Sequence, residues 1–175
     1  MKRITSYLAL TLLPVLCLHL LVTQRSCKIY RFNEAGSVPD SIKTVKVNFF
    51  ENRAQYVNPQ LSPRLTDRLR QKIVGQTKLT QTNSDNADWN ITGFVRDYTF
   101  STSAISGQQG ANSRLTVGIH ITLEDRKSGK TTENDVSRSF EFKGNKTFQQ
   151  AESELADEMI RTLTDDIFNK LFSNW

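Results

Sequence analysis

The sequence has few of the residues that build metal sites, disulfides and nucleophilic centres: two cysteines and two histidines among 175 residues. It lacks the glycine loops that cradle phosphates, the serine elbow of hydrolases, paired-cysteine zinc motifs and the metalloprotease helix motif. His120 falls on the polar side of a strand pattern and Asp165-Asp166 on a helix pattern, where both are typical of solvated residues. We therefore predict a protein that is not an enzyme and that uses no metal or cofactor.

Long apolar runs are also lacking, apart from one at the amino terminus. Lys2 and Arg3 precede it, and residues 4–23 contain no charged side chain. A basic start followed by an apolar run of roughly 7–15 residues is typical of a secretory signal. Pro14 disfavours the alternative, an uncleaved anchor that spans the membrane once. The pattern predicts that residues 1–26 are a signal peptide.

Cys27 follows this apolar run directly after the small residue Ser26. The arrangement resembles a bacterial lipoprotein signal, in which the cysteine becomes the first mature residue and carries acyl chains. Such chains anchor a protein because each buried CH₂ contributes about 0.8 kcal/mol. We predict Cys27 as the lipidation site; a free or buried thiol in an ordinary secreted protein is the alternative.

Positive charge is the feature of the composition that suggests a polyanionic partner: 23 Lys and Arg stand against 18 Asp and Glu, a net charge of +5. Removal of the signal peptide takes away Lys2, Arg3 and Arg25 but no acidic residue, so the mature chain carries +2. The chain is predicted to be exported, and its basic residues are not interleaved with aromatic ones. We therefore predict that it does not bind nucleic acid.

Four segments show the alternation of polar and apolar residues that is typical of strands with one buried face, and two show helical spacing. The strand segments are residues 44–49, 89–100, 115–123 and 136–142. Ser62-Pro63 is expected to begin the first helix, which Gly75 ends. Thr147 and Gln150 have the capping-box spacing that begins the long final helix.

The order β-α-β-β-β-α predicts an α+β fold. We expect a two-layer sandwich in which about four strands form a largely antiparallel sheet and two helices pack on one face. In this interpretation, residues 27–40 are an amino-terminal tether and residues 41–175 form a single domain.

Four basic residues flank the ends of the third predicted strand: Arg114, Arg126, Lys127 and Lys130. Arg and Lys side chains in loops can hold phosphate or carboxylate groups. We therefore take these four as the candidate substrate-binding residues. A solvated surface is the alternative for each of them.

Residues spread over nearly the whole mature chain carry a resemblance to a known family. They include Ser26-Cys27-Lys28-Ile29-Tyr30-Arg31-Phe32, Lys43-Thr44-Val45-Lys46-Val47-Asn48-Phe49-Phe50, Val57-Asn58-Pro59-Gln60-Leu61-Ser62, Gly93, Asp97-Tyr98, Arg114-Leu115-Thr116-Val117 and residues 166–175. Together they resemble the LptE-like lipoproteins of lipopolysaccharide assembly, in the form found in Bacteroidetes.

This resemblance implies a non-enzymatic protein that is lipid-anchored in the outer membrane. Its partners would be an LptD-like outer-membrane β-barrel, which it stabilises and plugs, and lipopolysaccharide, which it contacts during insertion into the outer leaflet. Lys28 after the lipidated cysteine resembles the outer-membrane class of lipoproteins, and the lack of an acidic cluster there favours a mainly periplasmic-facing location. The alternative is a stand-alone periplasmic lipoprotein that binds another envelope ligand or scaffolds an envelope complex.

The lipidation site is tested by metabolic labelling with a fatty-acid analogue. We expect wild-type protein to carry the label and Cys27→Ala to lack it, because the thiol is the acylated group. Cys17→Ala is the matched control and should keep the label, since that cysteine leaves with the signal peptide. Wild-type protein without label would contradict the prediction.

Overall fold

The computed structural model of the chain describes residues 38–103, 112–143 and 146–173. The predicted signal peptide, Cys27 and most of the predicted tether lie outside the described residues. Within these described ranges, no helix is both long enough and apolar enough to cross a membrane.

Six strands and two helices make up the described part of the chain. In chain order they are β1 (Thr44–Val47), β2 (Glu51–Asn52), α1 (Leu61–Gln76), β3 (Thr80–Gln81), β4 (Trp89–Ser103), β5 (Asn112–Asp125), β6 (Lys130–Lys143) and α2 (Phe148–Phe172). The α+β class, the two helices and the four longer strands agree with the sequence analysis.

The sheet corrects the prediction of about four largely antiparallel strands. Its order is β3-β1-β4-β5-β6, with β2 paired to the same edge of β4 beyond β1. β4, β5 and β6 form an antiparallel meander, whereas β1 runs parallel to both β3 and β4. The sheet is therefore mixed and six-stranded. Strands β2 and β3 have two residues each, too few to show an alternating pattern in the sequence.

One face of the sheet carries the core. The apolar side chains of β5 that alternate along the strand, such as Leu115, Val117 and Ile119, are fully buried. They share one hydrophobic cluster with Leu65 of α1 and Leu163 of α2, because both helices pack on this face. We call the opposite side of the sheet, which no described element covers, the open face.

A β-bulge in β4 changes which side chains reach the core. Val95 pairs with Ile119 and Asp97 with Gly118, so Arg96 is an extra residue in the strand. Tyr98 consequently points to the helix side and is only 3% exposed. The simple alternation through Val95 would have placed Tyr98 on the open face.

The helix ends differ in part from the sequence prediction. Helix α1 begins at Leu61, one residue before the expected Ser62, and Asn58 Oδ1 accepts hydrogen bonds from the backbone N–H groups of Gln60 (2.8 Å) and Leu61 (3.2 Å). Gly75 lies inside the helix, which continues to Gln76.

The predicted capping box at the start of α2 is confirmed. Thr147 Oγ1 accepts from Gln150 N, and Gln150 Oε1 accepts from Thr147 N. These two bonds satisfy donors that a helix terminus otherwise leaves unpaired.

Gly93 and Gly75 form a matched pair for testing the packing. A Cβ at Gly93 would lie 2.7 Å from Phe50 Cε2 and 2.8 Å from the His120 carbonyl oxygen, whereas at Gly75 nothing lies within 4 Å. We expect Gly93→Ala to lower the free energy of unfolding by about 1–3 kcal/mol. Gly75→Ala should be neutral or stabilise the protein by about 0.5–1 kcal/mol. Urea titration measures both; equal stability of the two variants would contradict this packing.

Candidate functional site

The four predicted basic residues do not form one site. Arg126 and Lys127 lie in the turn between β5 and β6, and Lys130 begins β6. Arg114 lies near the start of β5. The rise per residue of an extended strand puts it about 40 Å from this turn. We call the group of Arg126, Lys127 and Lys130 the basic turn.

Local interactions fix the backbone of the basic turn. Asp125 Oδ1 accepts hydrogen bonds from Lys127 N at 2.9 Å and Ser128 N at 3.2 Å. Gly129 has a φ of +68°, in the left-handed region that favours glycine. A short turn of this kind fixes the backbone positions from which the basic side chains extend.

The basic side chains differ in how far their charge is already neutralised. Lys127 Nζ lies 3.2 Å from Asp88 Oδ1 and also contacts the Ser41 carbonyl oxygen. Arg126 Nε lies 3.9 Å from Glu124 Oε1, and Lys130 forms no ion pair with any residue that the structure describes. Arg114 Nη2 lies 2.8 Å from Glu141 Oε1. Arg126 and Lys130 are therefore the most available cations of the set.

Asp88 joins the basic turn to the strands beside it. Its Oδ2 accepts hydrogen bonds from Lys43 N at 2.7 Å and Thr44 N at 3.0 Å. These backbone donors, with Lys127, lower the pKa of Asp88 to about 2. The basic turn thus lies at the end of the domain where the predicted tether enters, since Lys127 contacts Ser41.

An aromatic cluster, which the sequence analysis missed, lies at the other end. Tyr56 stacks on Tyr98 with ring centroids 5.4 Å apart, and Phe100 stacks on Phe142 at 5.5 Å. Phe148 packs edge-on against both Tyr56 (5.0 Å) and Phe100 (5.4 Å). These residues come from four separate segments, and no local spacing in the sequence links them.

Glu152 of α2 ties this cluster to the start of α1. Its Oε1 accepts hydrogen bonds of 2.7 Å from both Asn58 Nδ2 and the Tyr98 hydroxyl. Burial, together with the adjacent Glu152 carboxylate, raises the pKa of the Tyr98 hydroxyl. The carboxylate is held by neutral donors, which is an arrangement that fixes geometry and does not move protons at neutral pH.

A second cluster lies at the centre of the open face. The Arg53 guanidinium carbon lies 4.4 Å from the Phe94 ring centroid. The ring centroids of Phe94 and His120 are 5.1 Å apart. His120 Nδ1 is 3.0 Å from Asp135 Oδ1, which also lies 3.0 Å from Arg96 Nη1. The hydrogen bond with His120 and, to a smaller extent, the charge of Arg96 lower the pKa of Asp135.

Nothing in these clusters assembles a metal site. Within the parts of the chain that the structure describes, no three His, Cys, Asp or Glu side chains are grouped so that they could hold an ion. The aromatic cluster, the cluster around Phe94 and the basic turn are the candidate binding surfaces that we consider.

Comparison with known proteins gives one family match. The LptE family model, described as lipopolysaccharide-assembly, matches residues 42–171. No curated protein matches the sequence.

Solved structures of low sequence identity resemble the chain. A putative neuraminyllactose-binding hemagglutinin homologue from Helicobacter pylori is 8% identical, with a TM-score of 0.56 over 81% of this chain and 89% of that one. A minor lipoprotein from Acinetobacter baumannii is 17% identical, with a TM-score of 0.45 over 76% and 98% of the two chains. A PelC dodecamer from Paraburkholderia phytofirmans is 13% identical, with a TM-score of 0.49 over 79% and 94%. At 8% identity the Helicobacter pylori structure supports the fold alone.

Asp88 makes the stability of the tether end depend on pH. Its pKa is about 2 in the folded protein against an ordinary 3.8, so its stabilising effect is present above about pH 4 and is lost as the pH falls towards about 2. We expect Asp88→Ala to lower the melting temperature at pH 7, and the difference from wild type to shrink between about pH 4 and about pH 2. Asp157→Ala removes a carboxylate that is 91% exposed and should change the melting temperature little at pH 7. A difference at Asp88 that is constant with pH would contradict this role.

Proposed function

The chain belongs to the LptE family of outer-membrane lipopolysaccharide-assembly lipoproteins, and from this we propose that it stabilises and plugs a large LptD-like β-barrel that inserts lipopolysaccharide into the outer leaflet. The observation that carries the proposal is the family match, which spans residues 42–171 and so includes every described helix and strand except the last residue of α2. The family is a non-enzymatic one that takes part in lipopolysaccharide assembly. The predicted acyl group on Cys27 would hold the domain at the membrane.

The dimensions of the domain support the role of a plug. Strand β4 has 15 residues and spans about 50 Å, and α2 has 25 residues and spans about 37 Å. The apolar band of an outer-membrane barrel is about 25 Å tall. The domain is therefore long enough to fill the full height of such a barrel.

The basic turn supports contact with lipopolysaccharide, a lipid that carries phosphate groups. Arg126 has only a 3.9 Å contact with Glu124, Lys130 forms no ion pair with a described residue, and the turn lies where the predicted tether enters the domain. We place the main phosphate contact here, with Lys127 held between Asp88 and Ser41 as part of its frame. Arg114 lies too far away to join it, and its guanidinium is already paired with Glu141 at 2.8 Å.

Charge reversal tests the lipopolysaccharide contact in the full-length, lipidated protein. Arg126→Glu combined with Lys130→Glu should weaken binding to purified lipopolysaccharide by about tenfold or more, because a basic residue near an anionic surface contributes about 1 kcal/mol. Arg114→Glu should cause a smaller loss. Equilibrium binding at fixed salt measures each effect, since such contacts are screened at high salt.

A matched control separates a local contact from general charge. Arg68→Glu combined with Arg161→Glu makes the same change in net charge on exposed positions of the two helices. We expect its binding to stay within about twofold of wild type, since Arg68 and Arg161 line a groove between the two helices and not the cavity that Lys130 lines with the end of α2. Equal losses in the two double variants, or wild-type binding in the basic-turn variant, would contradict the proposed contact.

A further inference from the structure

The open face is rich in hydroxyl groups and lies opposite the helices. Its hydroxyl side chains, on β4, β5 and β6, are Thr92, Thr99, Thr116, Thr122, Ser137 and Ser139. Thr116 Oγ1 and Ser139 Oγ are 2.9 Å apart and hydrogen-bonded across the strands. Such a face can bond a polar surface at many points, whereas hydrocarbon would leave the hydroxyls unsatisfied.

Several charged side chains on this face are paired with each other. Arg114 lies 2.8 Å from Glu141, and Arg96 lies 2.8 Å from Asp97 and 3.0 Å from Asp135. The pairs leave no concentrated positive charge of the kind that attracts phosphate. The open face is therefore suited to a polar protein surface more than to a lipid headgroup.

Phe94 gives the open face an apolar centre. Its ring is held between the Arg53 guanidinium and the His120 imidazole, both within about 5 Å of its centroid. Aromatic and Arg residues at the centre of a surface, surrounded by polar ones, are typical of the few positions that dominate protein–protein binding.

Contacts within the chain already order the backbone and side chains near Phe94 before any partner binds. The bulge at Arg96 brings its guanidinium onto both Asp97 and Asp135, while Gly118 leaves room for the Asp97 side chain. A Cβ at Gly118 would lie 2.5 Å from Asp97 Oδ2. Side chains that are already ordered lose little entropy when a partner binds.

We propose that the open face is the surface that contacts the inner wall of the β-barrel partner, with Phe94 as its anchor. This inference rests on the proposed function. The inner wall of an outer-membrane barrel is polar, so it matches the hydroxyl groups and paired charges of this face. The helices then face the remaining lumen.

Site-specific photo-crosslinking of the full-length protein in cells tests the orientation. A photoreactive residue at Thr116, on the open face, should crosslink to the barrel. The same residue at Val74, which is 50% exposed on α1, should give at least about tenfold less of that product. Crosslinks to the barrel from Val74 alone, or crosslinks from Thr116 to lipopolysaccharide and not to protein, would overturn the proposal.

Substitution of the anchor provides an independent test. Phe94→Ser should lower the amount of barrel recovered with the protein in mild detergent by about tenfold, and Val74→Ser should leave it unchanged. Thermal unfolding of both variants checks that they are folded. If wild-type protein recovers the barrel and folded Phe94→Ser recovers as much, the inference alone is wrong. If wild-type protein recovers no barrel, the proposed function is wrong as well.

Discussion

Burial of one side of three long strands is the constraint on which the rest of the structure depends. Leu115, Val117, Ile119 and Ile121 alternate along β5 and are all fully buried. Burying a side chain of this size stabilises a fold by roughly 1.5–3 kcal/mol relative to leaving it exposed. Both helices are thereby held to one side of the sheet. The other side is free of the need to be apolar, and it carries hydroxyl groups, ion pairs and Phe94 instead.

Patterns within a single segment predicted most of the fold, but such patterns cannot predict contacts between segments. The alternation in residues 115–123 identified β5, and the spacing of Thr147 and Gln150 identified the start of α2, because both signals are local. Strand β3 could not be found, since its two residues pair with β1 only after α1 returns the chain to the sheet. The bulge at Arg96 was not predicted either. One extra residue reverses the side of every residue after it, so the alternation before the bulge does not predict the sides after it.

The same distinction applies to the candidate surfaces. Charge and turn residues in the sequence located the basic turn, yet they did not show that Lys127 is held by Asp88, which lies 39 positions earlier in the chain. The separation of Arg114 from the turn follows from the length of β5. The position of Phe94 between Arg53 and His120 could not be predicted, because two other segments bring those residues beside it.

The family match, the length of the domain and the basic turn all support a role in lipopolysaccharide assembly. The amount of lipopolysaccharide at the cell surface tests that role most directly. The measurement follows surface lipopolysaccharide while the protein is depleted, and again after the full-length chain is restored. If the chain serves lipopolysaccharide assembly, the surface amount falls during depletion and recovers on restoration. Surface lipopolysaccharide that stays at its normal level after complete depletion would contradict that role.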